Sequence, residues 1–163
     1  MTAIDASAAT MQRPIVVRAL RQDDFVAWQP LWDGYNAFYG RKGETALPMA
    51  ITNATWQRFF DPAEPVFALV ATSGSALVGL AHYLYHRSTT RIELTCYLQD
   101  LFTDERERGR GVGGSLIEGV YQAARAAGIR RVYWQTHETN AAGRRLYDKV
   151  AKHAGFIVYA HDV

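Results

Sequence analysis

Cysteine is nearly missing from this chain. Among its 163 residues only Cys96 carries a thiol, so an intrachain disulfide and a cysteine-built metal cluster are both excluded. A lone thiol suits a reducing cytoplasm, and Cys96, set in an apolar stretch, reads as a packing residue. Long apolar runs are also lacking: no stretch approaches the about 18 residues of a membrane span, and the first thirteen residues have neither the basic start nor the apolar run of a secretory signal. Charge of one sign is not in excess either. The 18 basic and 16 acidic side chains leave a formal net charge of +2 and are interspersed, without the basic stripe of a nucleic-acid binder and without a feature that calls for a membrane surface. These absences predict a soluble cytoplasmic protein with neither nucleic acid nor membrane as partner.

What is present fits a globular chain. Hydrophobic residues make up 48% and charged residues 21%, enough to fold and, at this length, enough for one domain. Residues 1–13, rich in alanine, serine and threonine, predict a flexible tail, and residues 14–163 a single domain. A strand over 15–19 comes first. A helix opened by Arg21, Gln22, Asp23 and Asp24 follows to about residue 38, with acidic groups at its positive end; Phe25, Trp28, Leu31, Trp32 and Tyr35 recur along it at helical spacing. Residues 51–60 predict a second helix, ended by Asp61, Pro62 and Pro65. Strands are predicted over 66–71 and 76–86 about a turn at Gly74, and over 93–103. Charged residues 104–110 then lead into Val112, Leu116, Ile117, Val120 and Tyr121 at helical spacing, closed by Gly128. Residues 131–136 predict a strand, 140–152 a helix and 156–160 a last strand. The order is that of an α+β fold.

The segment Arg108-Gly109-Arg110-Gly111-Val112-Gly113-Gly114-Ser115 lies between a strand and that amphipathic helix. Glycines let an anion approach the unsatisfied N–H groups of a first helical turn, and the two arginines supplement them, so the segment reads as a phosphate loop. Gly109, Gly111 and Gly114 satisfy the dinucleotide fingerprint, but charged residues 104–108 separate the first glycine from its strand and too little chain follows for a doubly wound sheet. The nucleoside-triphosphate loop needs a lysine, which Gly113-Gly114-Ser115 lacks. The remaining pattern, Gln or Arg, two residues, Gly, one residue, Gly or Ala, is met by Arg108, Gly111 and Gly113.

With this pattern the chain resembles the GCN5-related N-acetyltransferase family over residues 15–159. The resemblance implies a mixed central sheet of about six or seven strands, antiparallel at its start and with one parallel pair at the cofactor cleft, flanked by about four helices. It implies acetyl-coenzyme A as co-substrate, with Leu101, Phe102 and Thr103 similar to the strand that pairs with pantetheine and residues 108–115 similar to the pyrophosphate loop. Asn140, Leu146, Tyr147, Gly155 and Phe156 resemble the next motif, which also contacts the coenzyme, with extra residues 150–153 as a departure. Asn140, Gly143, Arg144 and Tyr147 fall on one helix face; Asn140 and Tyr147 can also be read as a plain cap and a core aromatic.

The implied reaction is attack of a neutral amine on the thioester, and a phenol suits the task of protonating the leaving thiolate; that role falls to Tyr147. Backbone N–H groups of residues 101–103 are suited to the oxyanion. The stretch Tyr97-Leu98-Gln99-Asp100-Leu101-Phe102 resembles the diamine and polyamine branch, which has glutamate at the place of Gln99. Glutamine accepts no proton at neutral pH, so Asp100 is left either as base or as a tie for a neighbouring loop. His82 and His86, without a carboxylate set, predict no metal site; His137 beside Glu138 is a candidate relay, and Asp33 and Glu44 candidates for receiving a cationic amine. The expected acceptor is a small cationic amine such as a polyamine, diamine or lysine-like amino acid, with a protein amine or a non-catalytic acyl-coenzyme A module as alternatives. A homodimer through strands is expected of such folds.

Overall fold

The computed structural model describes residues 13–163, so the expected tail lies, save for Arg13, outside the described residues. A single sheet has the order β1 (Ile15–Ala19), β2 (Val66–Ser73), β3 (Ala76–His86), β4 (Thr95–Thr103) and β5 (Val132–Tyr133). The first four strands are antiparallel and β5 runs parallel to β4. Helices α1 (Phe25–Phe38) and α2 (Met49–Arg58) contribute to one apolar layer, α3 (Val112–Ala126) and α4 (Ala141–Val150) to the other. The α+β architecture and the parallel pair are as expected. None of these helices is long and apolar enough to cross a membrane.

The two layers follow from the sequence periods. Trp28, Leu31, Trp32 and Tyr35 form the buried stripe of α1 and pack on Ala68, Val70 and Leu80. Val112, Leu116, Ile117, Val120 and Ala124 form the stripe of α3 and cover Leu69, Ala71, Val78, Ala81 and Leu98. Neighbouring residues of β2 thus face opposite layers, which is why the strand reads as a continuous apolar run. Cys96 is buried in the α3 layer, and burial pushes its thiol up to about 12, the inert packing residue expected.

Local chemistry sets the helix ends. Asp24 accepts from Arg18 Nη1 (2.6 Å) and Nη2 (2.8 Å) and from the Arg21 backbone N–H (2.8 Å), tying β1 to the start of α1. The competition of these bonds with a regular helix turns residues 22–24 into a 3-10 turn, so α1 begins at Phe25 rather than at Arg21. At the end of α3, Gly128 adopts φ +72° and Ile129 N–H bonds back to the Ala124 carbonyl at 2.8 Å, the glycine-closed end expected.

Three expectations are corrected. The strand placed at 131–136 shortens to Val132–Tyr133, because only Cys96 and Tyr97 offer it a ladder. Helix α4 ends at Val150, where Ala151 is extended. Residues 156–160 form no strand: Phe156, Ile157, Val158 and Tyr159 are exposed, and their backbone groups find no partner among the described residues. A strand exists only through pairing, so the described sheet has five strands rather than six or seven.

Candidate functional site

The sheet opens between its two parallel strands. Cys96 pairs with Val132 and Tyr97 with Tyr133, and there the β4–β5 ladder stops while β4 continues to Thr103. The edge carrying Leu101, Phe102 and Thr103 therefore faces no strand among the described residues, leaving main-chain donors and acceptors for an extended ligand arm. Leu101 packs towards α3 and Phe102 towards α1, so the side chains brace the edge while the backbone remains available.

The glycine-rich turn sits at the far end of this opening. Gly109 and Gly111 have φ of +79° and +80°, and a Cβ on either would meet nothing within 4 Å. Only glycine adopts such angles without strain, and the empty space lies over the start of α3. Within that helix Ser115 N–H reaches the Gly111 carbonyl at 2.9 Å, and no side chain caps the helix. The amides of Val112, Gly113 and Gly114 thus lack a protein acceptor among the described residues, which is the arrangement that binds phosphate. A Cβ on Gly113 would stand 3.0 Å from the Leu146 side chain and one on Gly114 3.7 Å, so these two glycines also let α4 close on α3.

The two arginines of the turn differ. Arg110 pairs with Glu107, reaches Ser73 Oγ at 3.4 Å and donates from Nη2 to the Arg13 carbonyl at 2.8 Å. Its side chain fastens the turn to the sheet, with Nε left without a partner among the described residues; its backbone remains in the turn. Arg108 is half exposed and 3.4 Å from Glu105, so its guanidinium stays beside the turn at the surface.

On α4, Asn140 is a cap in the full sense: Oδ1 accepts from Gly143 N–H at 3.0 Å and Nδ2 donates to Thr136 Oγ1 at 2.9 Å. A Cβ on Gly143 would come within 2.5 Å of Asn140 Nδ2, so glycine is needed for this cap to close. Tyr147, almost two turns on, packs edge-on against Trp134 with ring centroids 5.5 Å apart. Burial pushes its phenol up to about 12, with Tyr39 adding to the effect and Thr136 opposing it, so it holds its proton well beyond neutral pH.

A cavity of about 730 Å³ lies on the α1 side of the opening. A β-bulge shapes its floor. His82 pairs with Asp100 and Tyr83 with Leu98, so Gln99 is an extra residue in β4. A bulge re-aims the side chains that follow it: Leu98 and Leu101 pack on the α3 layer, whereas Asp100 lines the cavity and Phe102 joins the α1 layer. Asp100 Oδ2 lies 3.0 Å from His82 Nδ1, and Trp28 Nε1 donates to His82 Nε2 at 3.0 Å. An indole N–H can only donate, so Nε2 must accept and the proton of the neutral imidazole sits on Nδ1, donated to Asp100. All three groups are buried. Tyr35 also faces Asp100, and its burial together with that carboxylate raises its phenol.

Of the other sequence candidates, His86 bonds Tyr133 Oη at 2.9 Å and the Arg87 carbonyl at 2.8 Å, away from the His82 pair. His137 lines the cavity, with Nδ1 2.7 Å from Thr139 Oγ1. Asp33 and Glu44, candidates for receiving a cationic amine, are exposed and line no part of this cavity. Its charged lining is Asp100, Arg41 and Arg58, with His82 and His137. Arg41 was missed because it sits in a loop without a pattern, and the Trp28–His82 bond spans 54 residues.

The model of the acetyltransferase (GNAT) family matches residues 20–152. The chain is 37% identical over 147 residues to the D-amino-acid N-acetyltransferase HPA3 of Saccharomyces cerevisiae, covering 89% of both chains. It is 25% identical over 149 residues to the uncharacterized N-acetyltransferase YhfO of Bacillus subtilis, covering 90% of this chain and 97% of that one. Among solved structures, the aminoglycoside N-acetyltransferase AAC(6')-Iy in complex with CoA superposes with a TM-score of 0.78 at 14% identity, over 92% of this chain and 95% of the other; this likeness concerns the fold. With its splayed parallel strands, uncapped glycine turn and family match over most of its length, the chain belongs to the acetyltransferase (GNAT) family and is an acetyl-coenzyme A-dependent N-acetyltransferase.

Proposed function

We propose that the enzyme acetylates the amino group of a small amino acid. The observation that carries this reading is Asp100, buried and, among the described residues, the one carboxylate lining the cavity, set in its wall by the Gln99 bulge beside lining charges that are otherwise basic. One carboxylate suits one ammonium group. A polyamine or diamine would bring a second cation towards Arg41 and Arg58, so the cavity favours the amino-acid form of the expected amine, and the 37% identical yeast relative, by its name, acts on D-amino acids.

In this reading the diphosphate of the coenzyme lies on the amides of residues 109–115 beside Arg108, the pantetheine arm runs along Leu101, Phe102 and Thr103, and Asn140 with Gly143 fixes the helix that presents Tyr147. The bound ammonium first gives one proton to water; the neutral amine then forms a bond to the thioester carbon while the carbonyl oxygen takes up the negative charge, and one of the two protons on the now cationic nitrogen becomes acidic. Asp100 receives it. The carbon–sulfur bond then breaks and Tyr147 gives its proton to the thiolate. Neutral His82, held by Trp28, keeps Asp100 aimed through this exchange. The test is a panel of amino acids, diamines, polyamines and a lysine-bearing peptide with acetyl-coenzyme A, read by thiol release. Amino acids are expected to turn over fastest; a preference for polyamines or for the peptide overturns the acceptor assignment.

A further inference from the structure

Arg41 is built unlike a surface arginine. It follows the end of α1, past Gly40 at φ +80°, and its backbone N–H bonds the Asn36 carbonyl at 3.0 Å. Its Nε donates to Asn36 Oδ1 at 2.7 Å. Asn36 is itself buried and fixed, since its Nδ2 donates to the Trp32 carbonyl at 2.9 Å. The guanidinium carbon lies 5.9 Å from the Tyr35 ring centroid and 5.7 Å from that of Tyr39. One amide and two aromatic rings thus restrain a side chain that normally has about 2 kcal/mol of rotamer freedom. Nη1 and Nη2 have no protein partner among the described residues, and no carboxylate lies within ion-pair reach of the group. The result is a restrained fork of free donors on a residue that lines the same cavity as Asp100.

We propose that Arg41 is the carboxylate clamp of the acceptor site, the residue by which the enzyme distinguishes an α-amino acid from an amine without a carboxylate. This rests on the amino-acid reading above and names the group that enforces it. A planar fork binds a carboxylate through two parallel charge-assisted hydrogen bonds, and a fork already held in place loses little further freedom on binding. Asp100 takes the ammonium end, and Trp32, Tyr35, Tyr39 and Phe59 offer aromatic surface to the side chain. Arg58 also lines the cavity but is exposed and has no such support, so it does not share the role.

The test compares kcat/KM for three kinds of acceptor, the acid (phenylalanine, in each enantiomer), the amide (phenylalaninamide) and the amine (2-phenylethylamine), in the native enzyme and in Arg41→Ala, Arg41→Lys and Arg58→Ala. Coenzyme A-induced stabilisation of each variant serves as the control for folding. The native enzyme is expected to prefer the acid. In Arg41→Ala that preference falls about 10²-fold through a raised KM, Arg41→Lys recovers part of it, and Arg58→Ala keeps it. An equal loss for all three acceptors in Arg41→Ala, or a native enzyme that acetylates the amine and the amide as readily as the acid, overturns the clamp. Failure of the native enzyme to acetylate any of the three, or any member of the wider panel, instead removes the amine-transfer reading on which the clamp rests.

Discussion

In the proposed reaction Tyr147 and Asp100 divide the proton work by their surroundings. Tyr147 is kept neutral by burial, its phenol pushed up to about 12, where an exposed phenol would ionise near about 10. It can therefore serve as an acid throughout the range in which enzymes of this kind are assayed. Tyr147→Phe is expected to lower kcat by about 10²-fold while the affinity for coenzyme A stays within about twofold; equal activity in both forms would remove the acid assignment and leave the ring as packing. The sequence placed one of these two residues more directly than the other. Tyr147 follows Asn140 at helical spacing, so its position could be read locally, whereas the side that Asp100 faces is set by the bulge: without Gln99 as the extra residue, Asp100 would alternate to the α3 side. Bulges depend on how two strands pair, and nothing in the run of residues 97–102 announces one.

At the scale of elements, the glycine turn and the start of α1 carry the testable claims. The shape of the turn was legible because its signal is contiguous: four glycines at the start of an amphipathic helix fall within eight residues. Gly111→Ala would place a Cβ at φ +80°, a strain of about 1–2 kcal/mol, and in the space over the free amides. Coenzyme A affinity is expected to fall at least about tenfold, measured by calorimetry; unchanged affinity would put the diphosphate elsewhere. The start of α1 was predicted from its acidic residues, but the role of Asp24 as the tie to Arg18 was not, since a bidentate pair between a strand and a turn leaves no periodic trace. Hydrogen bonds from Arg18 hold the Asp24 carboxyl below its ordinary value. The stability it contributes is present above the ordinary carboxylate range and is lost as pH falls through the lowered native value. Asp24→Asn is expected to cost about 1–3 kcal/mol at neutral pH and to flatten the acid limb of the denaturation curve; an acid limb of unchanged slope would assign acid unfolding to other carboxylates. Residues 156–160 were misread for the opposite reason: their apolar pattern is that of a strand, but a pattern cannot supply the neighbour a strand needs.

For the whole molecule, the two layers separate two tasks. In the proposed function the α3 and α4 side, with its uncapped helix and capped neighbour, takes the coenzyme, and the α1 and α2 side, with its aromatic wall, Arg41 and Asp100, takes the acceptor. They meet where β4 and β5 part, so a thioester running along β4 would reach the nitrogen held above the bulge. The layer order was legible in the alternation of helices and strands, but the acceptor chemistry was not, because Trp28, Arg41, His82 and Asp100 come from four separate stretches of chain. The most direct test of the account is titration of the native protein with coenzyme A, followed by calorimetry and by the change in melting temperature. The account predicts one site per chain, with binding weakened by Gly111→Ala and preserved in Tyr147→Phe. A native protein that is folded and melts cooperatively yet shows no affinity for coenzyme A would contradict it.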